Sequence, residues 1–370
     1  MRGFVSAGSR GILGLIGGLF VFKYVLRITP WAWLLAAGFV AVFATSGVVF
    51  APRPAEVGNR RSRTGALVVY GGVGLLALVL ALALPEDSRV GRLPAILHWI
   101  DSLSAGHFPY ADPVVPSGFP ALFLLSLPEY AGHRIALLQL MGLGLFAFAS
   151  VRTSGRDGDR ALEQALALLL LPTVYYEVLV RSELFFNVIA VIVLVVVCDE
   201  SLSPQGRSSR LIVVAALFGI GLSTRSIVAL LYVPYVAWRF RGDVHRGLIF
   251  SAVVVGVFAL TLVPFALWDP PAFVARGPFA VQLAYLPNGI SLLILVGSSV
   301  AGWRASSLEE VLFVSGLGMF VATGTAFTLT SLATGFMAAA AGDRFDITYF
   351  ILCTPCFLLS LGRQRRANDT

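Results

Sequence analysis

What most constrains this chain is the recurrence of apolar runs, about 15 to 25 residues each, separated by short links that carry arginine. About 20 helical residues cross the hydrocarbon core of a bilayer, and only a helix or a closed barrel satisfies its own backbone there. The stretch 64–84 has no charged residue at all. Twelve such runs, near 11–28, 31–51, 64–84, 133–151, 161–177, 183–198, 210–223, 226–240, 247–268, 287–303, 309–335 and 345–362, predict an all-α, polytopic bundle of about 12 spans. Composition agrees: 57% of residues are hydrophobic and only 13% charged, with a mean hydropathy of +0.85. A soluble domain carries about 25% charged residues.

The net charge of +7 comes almost wholly from arginine, Lys23 being the only lysine. In a polytopic chain such an excess reports orientation and contact with anionic headgroups, so membrane lipids are expected as partners and nucleic acid is not. Placing Arg53, Arg60, Arg61 and Arg63, then Arg152, Arg156 and Arg160, the links 199–210 and 239–246, and tail residues Arg363, Arg365 and Arg366 on the cytoplasmic side gives a consistent alternation. Both termini then face the cytoplasm, in an inner (plasma) membrane of bacterial type. The apolar run after Arg10 has no small-residue cleavage site before Lys23 and is followed by a second run, so it is expected to remain as a first helix. Residues 1–63 then form two N-terminal spans with a basic link, 64–362 the main transmembrane module, and 363–370 a cytoplasmic tail. Cys198, Cys353 and Cys356 lie in or beside apolar runs and read as small buried thiols; Glu309 and Glu310 read as charge at a helix N-terminus.

The outer links 85–132, 178–183, 224–226, 269–286 and 336–346 hold the informative minority of charges. Arg89, Arg92, Arg134, Arg181, Arg225, Arg276 and Arg344 sit there beside Glu86, Asp87, Asp101, Asp112, Glu129, Glu177, Glu183, Asp269, Asp343 and Asp346. Any one of them reads most simply as an interfacial anchor or ion pair. As a group converging from separate helix ends they suit a phosphate or polar headgroup, which arginine grips with a two-pronged fork. In the largest link, Val90–Ser104 places Leu93, Ile96, Leu97, Ile100 and Leu103 three and four apart, an amphipathic helix for the interface, with Trp99 as a headgroup-level anchor. Its polar side carries Arg92, His98 and Asp101. Gly106-His-Phe-Pro-Tyr110 ends the helix, and prolines 113, 116 and 120 return the chain to the membrane.

An apolar span ending in an acid, an outer loop with an interfacial helix, then Gly-x-x-Pro-Tyr and a proline-led return resembles the first outer loop of the GT-C superfamily. Arg181-Ser-Glu-Leu-Phe-Phe-Asn187, Gly221-Leu-Ser-Thr-Arg225 and Trp268-Asp-Pro-Pro-Ala-Phe273 add to the resemblance, which runs in patches over 64–362. The superfamily comprises integral-membrane glycosyltransferases, mannosyltransferases among them, that take sugar from polyprenyl-phosphate donors. The resemblance implies a catalytic base at Asp87, with Glu86 as the adjacent alternative and Asp101 or Asp112 in reserve. Two spans precede the acid-bearing helix here, and no Asp-x-Asp accompanies it, which leaves the base open among these four.

The implied reaction is an inverting displacement on the extracytoplasmic face, from a polyprenyl-phosphate-linked sugar to a lipid, glycan or protein acceptor. Arg89, Arg92, Arg225, Arg276 and Arg344 would hold the donor phosphate; His107, Tyr110, Arg181, Glu183, Trp268 and Asp269 would contact substrate. No cofactor is required; some relatives use a divalent metal, but no ligand set here demands one, so no metal site is assigned. The alternatives are a transporter or flippase, since twelve spans suit a carrier, and an O-antigen-polymerase-like protein of envelope polysaccharide assembly.

Overall fold

In lipid a backbone amide has no water to bond, so each apolar run closes its own hydrogen bonds as a helix. The computed structural model describes residues 2–49, 60–84, 92–110, 116–155, 157–202, 208–283 and 286–362, and among these it is all-helical, without a strand. In chain order the helices are α1 (Arg2–Val25), α2 (Ala32–Val49), α3 (Arg60–Ala83), α4 (Leu93–Ser104), α5 (Pro120–Leu125), α6 (Leu127–Gly132), α7 (Leu137–Ser154), α8 (Gly158–Leu170), α9 (Pro172–Val180) and α10 (Leu184–Ser201). There follow α11 (Ser208–Leu222), α12 (Ala229–Arg239), α13 (Val244–Trp268), α14 (Pro270–Arg276), α15 (Pro278–Leu283), α16 (Asn288–Arg304), α17 (Leu308–Thr334), α18 (Phe336–Ala340) and α19 (Thr354–Leu359).

Among the described residues every apolar run is helical, but five helices, α1, α3, α7, α13 and α17, are long and apolar enough to cross a membrane by themselves. A sixth crossing is made if α8 and α9, bent by 58° at Leu171-Pro172, count as one span. The protein is an integral membrane protein. The other apolar helices, α2, α10, α11, α12, α16 and the segment from Ile347, are shorter.

Helices in lipid gain no hydrophobic free energy from pairing, so close packing and internal hydrogen bonds hold them together. Small residues permit the closest approaches. A β-carbon at Gly302 on α16 would lie 2.6 Å from the backbone of Pro234 on α12. Large apolar side chains such as Leu75, Val79, Val255 and Leu260 point outward, where lipid accepts them. Inside, the Tyr70 hydroxyl of α3 donates to Ser150 on α7 (2.6 Å), Ser150 meets Gln164 on α8 (2.6 Å), and Gln164 donates to Leu359 O (3.1 Å). Tyr70→Phe keeps the ring but breaks this chain at its first member, and is expected to cost about 1–2 kcal/mol, visible as a lowered melting temperature in detergent.

The two ends of the bundle differ in chemistry. At one end the charges serve structure: Arg10 pairs with Glu163, Arg239 with Asp199, and buried Arg160 holds Glu309 and the carbonyls of Leu359 and Leu361. Asp157, Asp243 and Ser307 cap helices there. Glu309 and Glu310 are accordingly at the start of α17, and the three cysteines are buried free thiols.

At the other end α4 lies against α5, α13 and α14 over a second, aromatic core. The amphipathic spacing is realised, since Leu93, Ile96, Trp99 and Ile100 are its buried face. One expectation is corrected: Trp99 is no headgroup anchor. It is 0% exposed and stacks on Phe123, with centroids 4.6 Å apart, because its ring is the largest surface available to bind the returning α5 to α4.

Candidate functional site

The break between α11 and α12 builds the centre of the site. Gly221 lies in the last turn of α11, where a β-carbon would strike the Tyr232 hydroxyl, and past Leu222 the chain turns through Ser223, Thr224 and an extended Arg225. The chain returning after α4 locks onto this tip through its backbone: Phe119 N–H donates to Thr224 O (3.0 Å) and Ala121 N–H to Ser223 O (2.9 Å). The unwound backbone between these two apolar helices is satisfied here by neighbouring protein.

Arg225 is 4% exposed. Its Nη2 pairs with Glu183, which precedes α10, and its Nη1 donates to Ser117 Oγ at 3.2 Å. Its Nε has no partner among the described residues. Gln282 on α15 braces both neighbours, donating to Ser117 O (2.5 Å) and accepting from the Ser226 amide (2.7 Å). A buried ion pair of this kind is a poor source of stability, because desolvation offsets the attraction, so its placement is the informative feature.

Arg225 stands at the head of a groove of about 230 Å³ between α12, α16, α17 and the segment from Ile347. Gln282, Ser291, Thr323 and Tyr349 add polar groups to its lining, which is otherwise mostly apolar, with Leu230, Ile294, Leu295 and Ala326 among its walls. Behind Tyr349 stands Arg92, its guanidinium 4.5 Å from the ring centroid and 2.9 Å from Asp346. Burial opposes charge on Arg92, but Tyr349, Asp346 and Glu183 outweigh it and raise its pKa above the ordinary arginine value. Glu177 on α9 lies within electrostatic range of Glu183 and Arg92. Arg225 thus lines the groove with Glu183 paired to it, and the Arg92–Asp346 pair stands behind the lining residue Tyr349.

The candidate residues from the sequence divide three ways. Arg225 lines the groove, Glu183 pairs with it, and Arg92 stands behind the lining residue Tyr349. Asp87, Glu86, Arg89 and Asp112 lie outside the described residues. The rest stand elsewhere at this end. Asp101 is exposed and accepts from Tyr130 (2.7 Å), and His107, Arg276 and Arg344 are exposed. Tyr110 is fully buried in the aromatic core and donates to Gly118 O (3.2 Å); Trp268 meets Phe108 edge-on, 6.1 Å apart. Asp269 caps α14 by accepting from Ala272 N–H (3.0 Å). Arg181, in the left-handed conformation at φ 52°, directs its guanidinium to the carbonyls of Val178, Ala81 (3.0 Å) and His133 (2.7 Å).

Sequence reasoning did not place Tyr349, Gln282 or Ser117 at the site. Tyr349 lay in an apolar run with nothing to distinguish it from core. Among the described residues no three His, Cys, Asp or Glu side chains gather as a metal site would require.

Comparison with protein-family models, with curated proteins and with solved structures gives no match. Function is therefore read from the groove and its charges.

Proposed function

We propose that this protein is an integral-membrane glycosyltransferase of GT-C type that moves a sugar from a polyprenyl-phosphate donor to an acceptor at the outer membrane face. The observation that carries this reading is Arg225 at the head of an apolar groove. A ligand suited to that slot has an anionic head and a long apolar tail, as a polyprenyl phosphate has. The leaving phosphate departs as an anion and needs positive charge more than a proton donor, which Arg225, with Arg92 behind Tyr349, supplies in a poorly solvated setting. The acceptor hydroxyl loses its proton to a carboxylate, Asp87 or Glu86 first and Asp101 or Asp112 next, a contribution typically about 10² to 10⁴-fold. A single displacement inverts the anomeric carbon.

The test is to plug the groove. Ala326→Trp puts an indole among the tail contacts and leaves Arg225 untouched. In lipid nanodiscs it is expected to reduce transfer from a polyprenyl-phosphate sugar about tenfold or more, through the loss of tail binding, with a melting temperature close to wild type. Undiminished transfer by a folded variant would remove the groove from the donor path. If the wild-type protein carries polyprenyl phosphate between leaflets and forms no glycosidic bond, the flippase reading replaces this one.

A further inference from the structure

Two residues at the start of α10 have buried polar atoms with no partner among the described residues. Glu183 is 1% exposed; one carboxylate oxygen faces Arg225 and the other has no partner among the described residues. Asn187 is also 1% exposed, and neither its Oδ1 nor its Nδ2 has a partner among them. An unbonded buried amide is costly, and such a group points to a second arrangement in which it is bonded. Residues at i and i+4 share a helix face, which puts the Asn187 amide where a carboxylate leaving Arg225 would meet a donor.

The geometry of Arg225 gives a reason for leaving. Nε and Nη2 form one two-pronged edge of a guanidinium, the edge that takes two oxygens of a phosphate side by side. Here Nε is without a partner among the described residues and Nη2 is on Glu183. Among the described residues, Nη1, on Ser117, is the one guanidinium nitrogen tied to a group that need not move. A phosphate entering the groove head and claiming the Nε edge therefore meets Glu183 as its competitor.

We propose that Glu183 is an internal stand-in for the donor phosphate: it neutralises Arg225 until an anionic head arrives, then yields the Nε–Nη2 edge and turns to Asn187. The inference rests on the lipid-phosphate reading of the groove and adds its selectivity. A neutral amphiphile has nothing to offer Arg225 in exchange for Glu183, whereas a phosphate has. Glu183 and Asn187 are positioning residues here, acting through Arg225.

Binding of farnesyl phosphate to the full chain in nanodiscs, with farnesol as the neutral probe, tests this. Glu183→Gln removes the competing charge and is expected to bind farnesyl phosphate about tenfold tighter, with farnesol unchanged. Asn187→Ala removes the alternative partner and is expected to bind farnesyl phosphate about tenfold more weakly, yet to have no further effect once Glu183→Gln is present. Because Glu183→Gln leaves Arg225 buried without a counter-charge, its melting temperature without ligand should fall, and farnesyl phosphate should raise it by more than in wild type.

A Glu183→Gln protein that binds farnesyl phosphate no tighter than wild type, or more weakly, would make Glu183 a strut for Arg225 and overturn the proposal. An Asn187→Ala effect of equal size in both backgrounds would do the same. Arg225→Gln separates the two levels: if it binds farnesyl phosphate as wild type does, the groove reading itself fails, and if it loses binding while Glu183→Gln is unchanged, only the stand-in role does.

Discussion

Arg225→Gln is expected to lower transfer from a polyprenyl-phosphate sugar by about 10² to 10³-fold, the scale of removing one preorganised donor from a developing anion. The loss should fall on both the affinity for farnesyl phosphate and the turnover of bound donor, because the same guanidinium faces the phosphate before and during departure. A structural effect runs alongside: the variant leaves Glu183 buried without its cation, a cost of about 3–5 kcal/mol. The two effects separate in a double variant. Arg225→Gln with Glu183→Gln has no uncompensated charge, so its melting temperature should recover toward wild type, while transfer stays low. Arg225→Lys keeps the charge but loses the fork and should recover only part of the activity. A double variant that transfers at the wild-type rate would rule out the phosphate role for Arg225, however stable it proved.

How much of this was legible in the sequence depended on whether the relevant signal was periodic. The apolar runs and the three-and-four spacing of Leu93, Ile96 and Ile100 are local patterns, and they appear in the structure as helices and a buried face. Trp99 shows the limit: on an amphipathic helix beside polar residues an indole suits a membrane interface and a protein core alike, and only Phe123 decides between them. The site itself is mostly non-local. Arg92 and Asp346 pair across 254 positions, and no feature near either residue names the other. Arg225 was legible because a polar knot between two short apolar runs is costly in lipid unless it faces protein or a cavity. Tyr349 and Asn187 gave no such sign. Asn187 lies within the Arg181–Asn187 motif but becomes informative only when its amide is found buried and without a partner among the described residues.

Arg181 shows how a charge at the right end of the bundle can belong to the scaffold, and it carries the second large effect. Its side chain is 1% exposed and donates to Val178 O, Ala81 O and His133 O, so one guanidinium ties the end of α9 to the end of α3 and to the turn before α7. Carbonyls leave no mark in a sequence, and this use could not be read there. Arg181→Ala strands these buried acceptors, at about 1–3 kcal/mol for each one left unsatisfied, and is expected to lower the melting temperature more than Tyr70→Phe. The backbone adds a finer test. At φ 52° a non-glycine residue is strained, so Arg181→Gly should be more stable than Arg181→Ala by about 1 kcal/mol although both lack the guanidinium. Arg181→Lys should resemble alanine, since a single ammonium cannot reach carbonyls on three elements at once. For the fraction that remains folded, affinity for farnesyl phosphate should be unchanged. If Arg181→Ala instead melts like wild type and binds farnesyl phosphate weakly, Arg181 belongs with Arg225 at the ligand.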